Sequence, residues 1–349
     1  MYESFFSLTK APFSLVPDPD CIHLTAQHAD AISGLAFGIL ERKGYLALTA
    51  EAGLGKTTAL RALSQLLAES NAESSVIFAP TLTGPEFLEM AMLNFGFRDV
   101  PQSKAQRLKM LEHLLLRSDA EGRVMALIVD EAHQLSPELL EEVRLLGNFE
   151  TSDRKLLQIV LVGQNQLNDQ LNLPQLWQLK QRIAVRLSLR RLDRQAVEEY
   201  IRFRWGKAGG QEPTPFSAAA FHAISTWSGG NPRLINVICE NALLIAFSET
   251  SRGVDVQTVR DACEELYLPT PTIARSSPSF AGARPLMGPS DQSLLEPARE
   301  PGELTEPEGA QDSWAMWRPS LLKRLMGRSA AQERARTRSR TGILSLNEP

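Results

Sequence analysis

Cysteine is scarce: Cys21, Cys239 and Cys263 are the three in 349 residues, far apart and with no CxxC pair. That excludes a disulfide framework and a structural zinc site and fits a reduced interior, where three small core residues are the plain alternative to a reactive thiol. The five histidines show no metal-ligand spacing. Charge of one sign is also missing. Thirty-seven basic against 41 acidic residues leave −4, which is no global field for nucleic acid or an anionic membrane. Long hydrophobic runs are absent too. The longest, residues 234–247, is interrupted by Asn236, Glu240 and Asn241 and falls short of the ~20 apolar residues that a membrane span needs. Residues 1–10 lack the basic head and apolar run of a signal peptide. The expectation is a chain with no integral span, cytoplasmic or peripheral to the inner membrane.

What is present is an alternation. Short β-like runs at 45–49, 75–78, 124–129, 157–162 and 184–189 are separated by helix-length segments. Three of the runs are nearly continuous apolar stretches, as strands covered on both faces must be. Such alternation predicts a parallel sheet with crossover helices over 41–191. Residues 1–40 read as a leading segment of the same module, with a turn at 17–20 and a helix from His28. Residues 192–268 lack strand signals and read as four helices, a small helical lid. From 269 to 349 Pro, Ser and Gly crowd and periodicity fades, which predicts a disordered tail, first acidic and then basic.

The chemistry concentrates in Ala50-Glu51-Ala52-Gly53-Leu54-Gly55-Lys56-Thr57-Thr58. Binding phosphates takes a tight turn with inward N–H groups, glycines that admit close approach, a lysine for the β/γ oxygens and a hydroxyl for Mg²⁺. Gly53, Gly55, Lys56 and Thr57 supply them, with Ala50 where a first glycine is usual. An apolar strand precedes the loop and an amphipathic helix follows, so the stretch reads as an ATP-binding loop. Residues 126–129 are apolar and end in Asp130-Glu131. There Asp130 can hold Mg²⁺ and Glu131 can polarise the attacking water; the competing reading is an acidic pair capping the next helix. Gln164 closes another strand, where it is either a γ-phosphate sensor or a loop glutamine. Arg182, before the last strand, is either a finger toward a neighbouring subunit's nucleotide, in a homo-oligomer, or part of a basic face with Lys180, Arg186, Arg190 and Arg191. Arg233 sits in a first helical turn, where the dipole disfavours it, and a γ-phosphate would explain it.

With these motifs Tyr2, Phe5-Phe6, Pro12-Phe13, Pro17-Asp18-Pro19, His28, Lys43-Gly44, residues 162–164, 181–183 and 230–236 resemble the ExeA/GspA-like secretion ATPases. That group includes ATPases of exosortase and exopolysaccharide loci, and the resemblance covers residues 1 to about 267. It implies an AAA+ fold (a P-loop sandwich with a helical lid), ATP and Mg²⁺ as cofactors, ATP hydrolysis, and partners in an envelope secretion or export machine. ExeA-like proteins often continue into a transmembrane helix and a peptidoglycan-binding domain, and the expectation from this sequence is that neither is present.

Asp130-Glu131-Ala132-His133 also spells a DEAH box, but the second lobe and QRxGR-type motif of a helicase are missing, and no NKxD-like guanine reader follows. A different class, an ATP-controlled DNA-binding protein of the transposition or origin-recognition type, rests on the basic residues between Arg318 and Arg340. They serve equally as a self-neutralising tail beside the acidic block at 291–312, which is the favoured reading. Trp314, Trp317, Leu321, Leu322 and Leu325 give a third, a docking peptide.

Overall fold

The computed structural model describes residues 2–15, 23–78 and 82–270. The turn at 17–20, Cys21 and the tail from 271 lie outside the described residues. Five strands form one sheet: β1 (Tyr45–Ala50), β2 (Ala72–Phe78), β3 (Val124–Asp130), β4 (Leu157–Gly163) and β5 (Ile183–Leu189), in the order β2-β3-β4-β1-β5. Every pairing is parallel. β1, β3 and β4 are buried along their whole length, which explains their unbroken apolar runs, whereas edge strands β2 and β5 alternate. β2 starts at Ala72, three residues before its apolar run, because Ala72 pairs with Val124 of β3.

Helices cover both faces. α2 (Ala26–Leu40) and α3 (Lys56–Ala68) lie on one, over Leu46, Leu48, Ile128, Val160 and Val162. α4 (Gly84–Asn94), α5 (Lys104–Ala120), α6 (Pro137–Leu146), α7 (Gln166–Leu171) and α8 (Trp177–Arg182) cover the other, over Ala47, Leu127, Ile159 and Leu161. α9 (Arg194–Lys207), α10 (Ala218–Ser228), α11 (Pro232–Ser248) and α12 (Val256–Glu265) follow without a strand and enclose a core of their own. Each opens on a side-chain cap, from Asp193, Ser217, Asn231 and Asp255. The fold is the three-layer sandwich with a helical lid that the sequence led us to expect.

The leading segment, read from sequence as one unit, is divided. α1 (Tyr2–Phe5) and the turn after it put Tyr2, Phe6, Leu8 and Phe13 into the lid core, while α2 packs on α3 and β5 in the sandwich. The reason is chemical: the strap carries the aromatics Tyr2, Phe6 and Phe13, whose burial is completed in the four-helix core. Buried Arg204 of α9 holds the strap by donating to the carbonyls of Pro12 at 2.7 Å and Ser14 at 3.2 Å.

Candidate functional site

In a parallel sheet the strands deliver their C-terminal ends to one edge, and ligands bind there. β1 leads into the loop at residues 51–55 and then α3, so the loop sits on a helix N-terminus whose free N–H groups attract anions. Gly53 and Gly55 have φ of 83° and 89°, a left-handed backbone that glycine adopts without strain. A Cβ on Gly53 would lie 2.6 Å from Asn231 Oδ1 and 2.8 Å from Arg233 Cβ; one on Gly55 would lie 2.7 Å from His28 Nε2. The loop is therefore gripped from both sides, by the lid and by α2.

Three carbonyls of the loop have side-chain donors. Buried Lys56 donates to Ala50 O at 3.2 Å, Asn231 Nδ2 to Ala52 O at 2.9 Å, and His28 Nε2 bonds Leu54 O at 3.0 Å. Glu51 points elsewhere, to an ion pair with Arg191 at 2.6 Å, which holds its carboxyl below the usual range. A cavity of about 510 Å³ opens above the loop. Its wall includes residues 52–58, with Thr57 and Thr58, as well as Arg61, Glu131 and Arg233. The strap and lid close its far side with Leu15, His23, Tyr200, Arg204 and Asn236. There Tyr200 donates to Asn236 Oδ1 at 3.0 Å and accepts from Arg204 at 3.0 Å.

Asp130 ends β3, which lies two strands from β1 across β4. It is 2% exposed, its Oδ1 accepts from Glu131 N at 2.8 Å, and burial pushes its carboxyl up while Lys56 pulls the other way. A desolvated carboxyl of this kind gains from a cation. Asp130 and the exposed Thr57, which lies in the cavity wall, both offer oxygen, the donor type that Mg²⁺ prefers. The loop before α3 offers the backbone N–H groups of a helix N-terminus, the donors that phosphate takes.

Glu131 takes a left-handed φ of 54°, a strained backbone for a non-glycine residue, and lies 3.3 Å from His133 Nδ1 without hydrogen-bond geometry. Gln164 stands at the end of β4, between the strands of Ala50 and Asp130. Its backbone N–H donates to the same His133 nitrogen at 3.4 Å. Arg182 is apart from all of these. It ends α8 at the opposite edge of the sheet, exposed, and donates to Asn148 Oδ1 at 2.7 Å. The six residues of β1 put about 17 Å between the two edges.

The fold thus gathers Lys56, Thr57, Thr58, Glu131 and Arg233 around one cavity, with Asp130 at the end of β3, Gln164 after β4 and Arg182 a strand length away. Sequence reasoning missed His28, Tyr200, Arg204 and Asn236 as wall residues and Asn231 as a clamp. The cap signal of Asn-Pro was readable, but nothing local marks what a cap's second hydrogen bond will reach.

Residues 39–171 match the AAA domain family. The chain is 40% identical over 258 residues to general secretion pathway protein A of Aeromonas hydrophila, across 73% of this chain and 46% of that protein; it spans about half the length of this curated relative. Among solved structures it resembles Cdc6p from Pyrobaculum aerophilum, with a TM-score of 0.55 at 18% identity over 73% of this chain and 70% of that one. Drosophila ORC bound to DNA gives 0.55 at 20% identity over 74% and 65%. The Aeropyrum pernix ORC2 protein in its ADPNP-ADP complexes gives 0.53 at 16% over 73% and 71%. At these identities the likeness is one of fold.

Proposed function

We propose that this chain, which belongs to the AAA ATPases related to general secretion pathway protein A, binds Mg-ATP in the cavity above residues 50–58 and hydrolyses it. The observation that carries the reading is the convergence of a glycine loop, a buried lysine, the strand-end Glu131 and a lid arginine on one cavity, with Asp130 the residue before Glu131 at the end of β3. The loop's N–H groups and Lys56 bind the β- and γ-phosphates. Thr57 and Asp130 hold Mg²⁺, which neutralises charge on the phosphate oxygens when bound. Glu131 orients the attacking water and takes its proton. Arg233, fixed to the loop through Asn231, reports the γ-phosphate to the lid, and Gln164, at the end of β4, serves as the γ-phosphate sensor.

Arg182 cannot serve its own cavity from the far edge, so the reading gives it to the nucleotide of a second copy in a homo-oligomer. The cellular task we assign is assembly of a secretion or export machine at the cell envelope, by analogy with the pathway in the relative's name. Among the described residues no helix is long and apolar enough to cross a membrane, so contact with such a machine would be peripheral for this part of the chain. The test is binding of a fluorescent ATP analogue together with phosphate release. A wild-type chain that does neither with Mg²⁺ present overturns the reading.

A further inference from the structure

The ring of His28 uses both nitrogens. Thr25 Oγ1 lies 2.7 Å from Nδ1, and Leu54 O lies 3.0 Å from Nε2. A carbonyl oxygen can only accept, so Nε2 carries the proton, and Nδ1 then accepts from the Thr25 hydroxyl. Burial, the dominant influence, holds the imidazole below its ordinary pKa of 6.5, in keeping with a neutral ring. The residue is 7% exposed. Thr25 also caps α2 through His28 N, so one hydroxyl anchors the helix start and the ring tautomer together.

The partner in the loop is the peptide joining Leu54 to Gly55. In a planar trans peptide C=O and N–H point in opposite directions. While His28 holds the Leu54 carbonyl, the Gly55 N–H faces away from the ring. Glycine is also the residue whose φ reverses at least cost, so this peptide, like the one joining Ala52 to Gly53, can flip at low cost. A flip would aim a carbonyl dipole where an anion needs a donor. No local residue prevents it, because Gly55 has no Cβ to constrain it and His28 lies 26 positions earlier in the chain.

We propose that His28 is a positioning residue for the phosphate loop: it locks the Leu54–Gly55 peptide with its N–H toward the anion, and Thr25 fixes the tautomer that lets it do so. The inference rests on the nucleotide reading of the cavity. It assigns to α2, which supplies no residue to the loop itself, control over how well the loop receives phosphate.

The test uses the full chain and a fluorescent ATP analogue with Mg²⁺, with Lys56→Ala as the non-binding reference and thermal melts run in parallel. His28→Leu keeps the volume and removes the donor. His28→Gln places an amide N–H at the reach of Nε2, and His28→Asn is too short to reach it. Loss of one hydrogen bond that serves a charged ligand corresponds to about tenfold in affinity. The expected result is that weakening in the Leu and Asn variants and recovery to within about threefold in Gln, with similar melting temperatures for Leu and Gln. Thr25→Val should weaken binding in the same direction and Thr25→Ser should not. Wild-type affinity in His28→Leu, or equal loss in Leu and Gln, overturns the proposal while leaving nucleotide binding intact. Failure of the wild-type chain itself to bind overturns the nucleotide reading, and the role of His28 with it.

Discussion

Asn231 uses the two atoms of one amide for two different elements: Oδ1 accepts from Arg233 N at 3.0 Å to cap α11, and Nδ2 donates to Ala52 O at 2.9 Å in the phosphate loop. Cap and clamp can be separated by substitution. Asn231→Asp keeps a good cap but sets a carboxylate against the Ala52 carbonyl, so lid stability should hold while ATP affinity falls. Asn231→Ala loses both and should cost about 1 kcal/mol of stability besides. Melting curves and nucleotide titrations on the two variants check this, and equal affinity in Asp and wild type would deny the clamp any role in binding.

Lys56 and Glu131 should fail in different ways. Lys56→Ala removes the buried counter-charge and should abolish binding. Glu131→Gln should bind normally and lose at least about 100-fold in turnover, the usual worth of a positioned general base. Phosphate release under saturating ATP decides it, and turnover at the wild-type rate in Glu131→Gln would take the water-activating role from that residue.

Arg182 and Arg233 separate a shared site from a private one. Arg182, at the far edge of the sheet, should tolerate Ala with near-normal ATP affinity and lose turnover; mixing Arg182→Ala with Glu131→Gln subunits should restore part of the activity. Arg233 lines its own chain's cavity, so Arg233→Ala should not be rescued by Glu131→Gln. Specific activity of the wild type should rise with protein concentration. Activity that ignores concentration, with no rescue, would make Arg182 a surface residue bonded to Asn148.

Stability should fall as the medium turns acid below about pH 6.5. Burial lowers the pKa of both His28 and His23 in the folded chain from 6.5. The unfolded chain then binds protons that the folded one refuses, so stability is full above the unfolded value and declines beneath it. The slope is at most about 1.4 kcal/mol per pH unit for each ring. Asp130 and Glu240, pushed up by burial, act with the opposite sign, so the comparison of His28→Gln with wild type isolates the contribution. Denaturant unfolding at pH 5.5 and 7.5 should show a smaller difference in the variant.

The strap should behave as part of the lid. Phe13 is fully buried against Phe216 and the lid core, and Phe13→Ala should cost about 3–5 kcal/mol. The same loss read at α9–α12 by amide hydrogen exchange would place it in the lid, and undiminished protection there would detach the strap from it.

The sequence by itself determined the sheet, the lid and the phosphate loop, because each rests on local patterning: unbroken apolar runs for buried strands, turn-and-cap chemistry at helix starts, and glycines followed by Lys56-Thr57. It also marked Asp130 and Glu131, since two acids ending an apolar strand emerge together at the sheet edge. Only the tertiary structure decided that the first residues of the chain belong with the last helices, that His28 and Asn231 grip opposite sides of one loop, and that Arg182 stands a strand length from the cavity while Arg233 lies in it. Those relations depend on where strand order and crossover helices bring distant residues. A side chain's own neighbours along the chain carry no record of a hydrogen bond made to a backbone carbonyl 179 residues away.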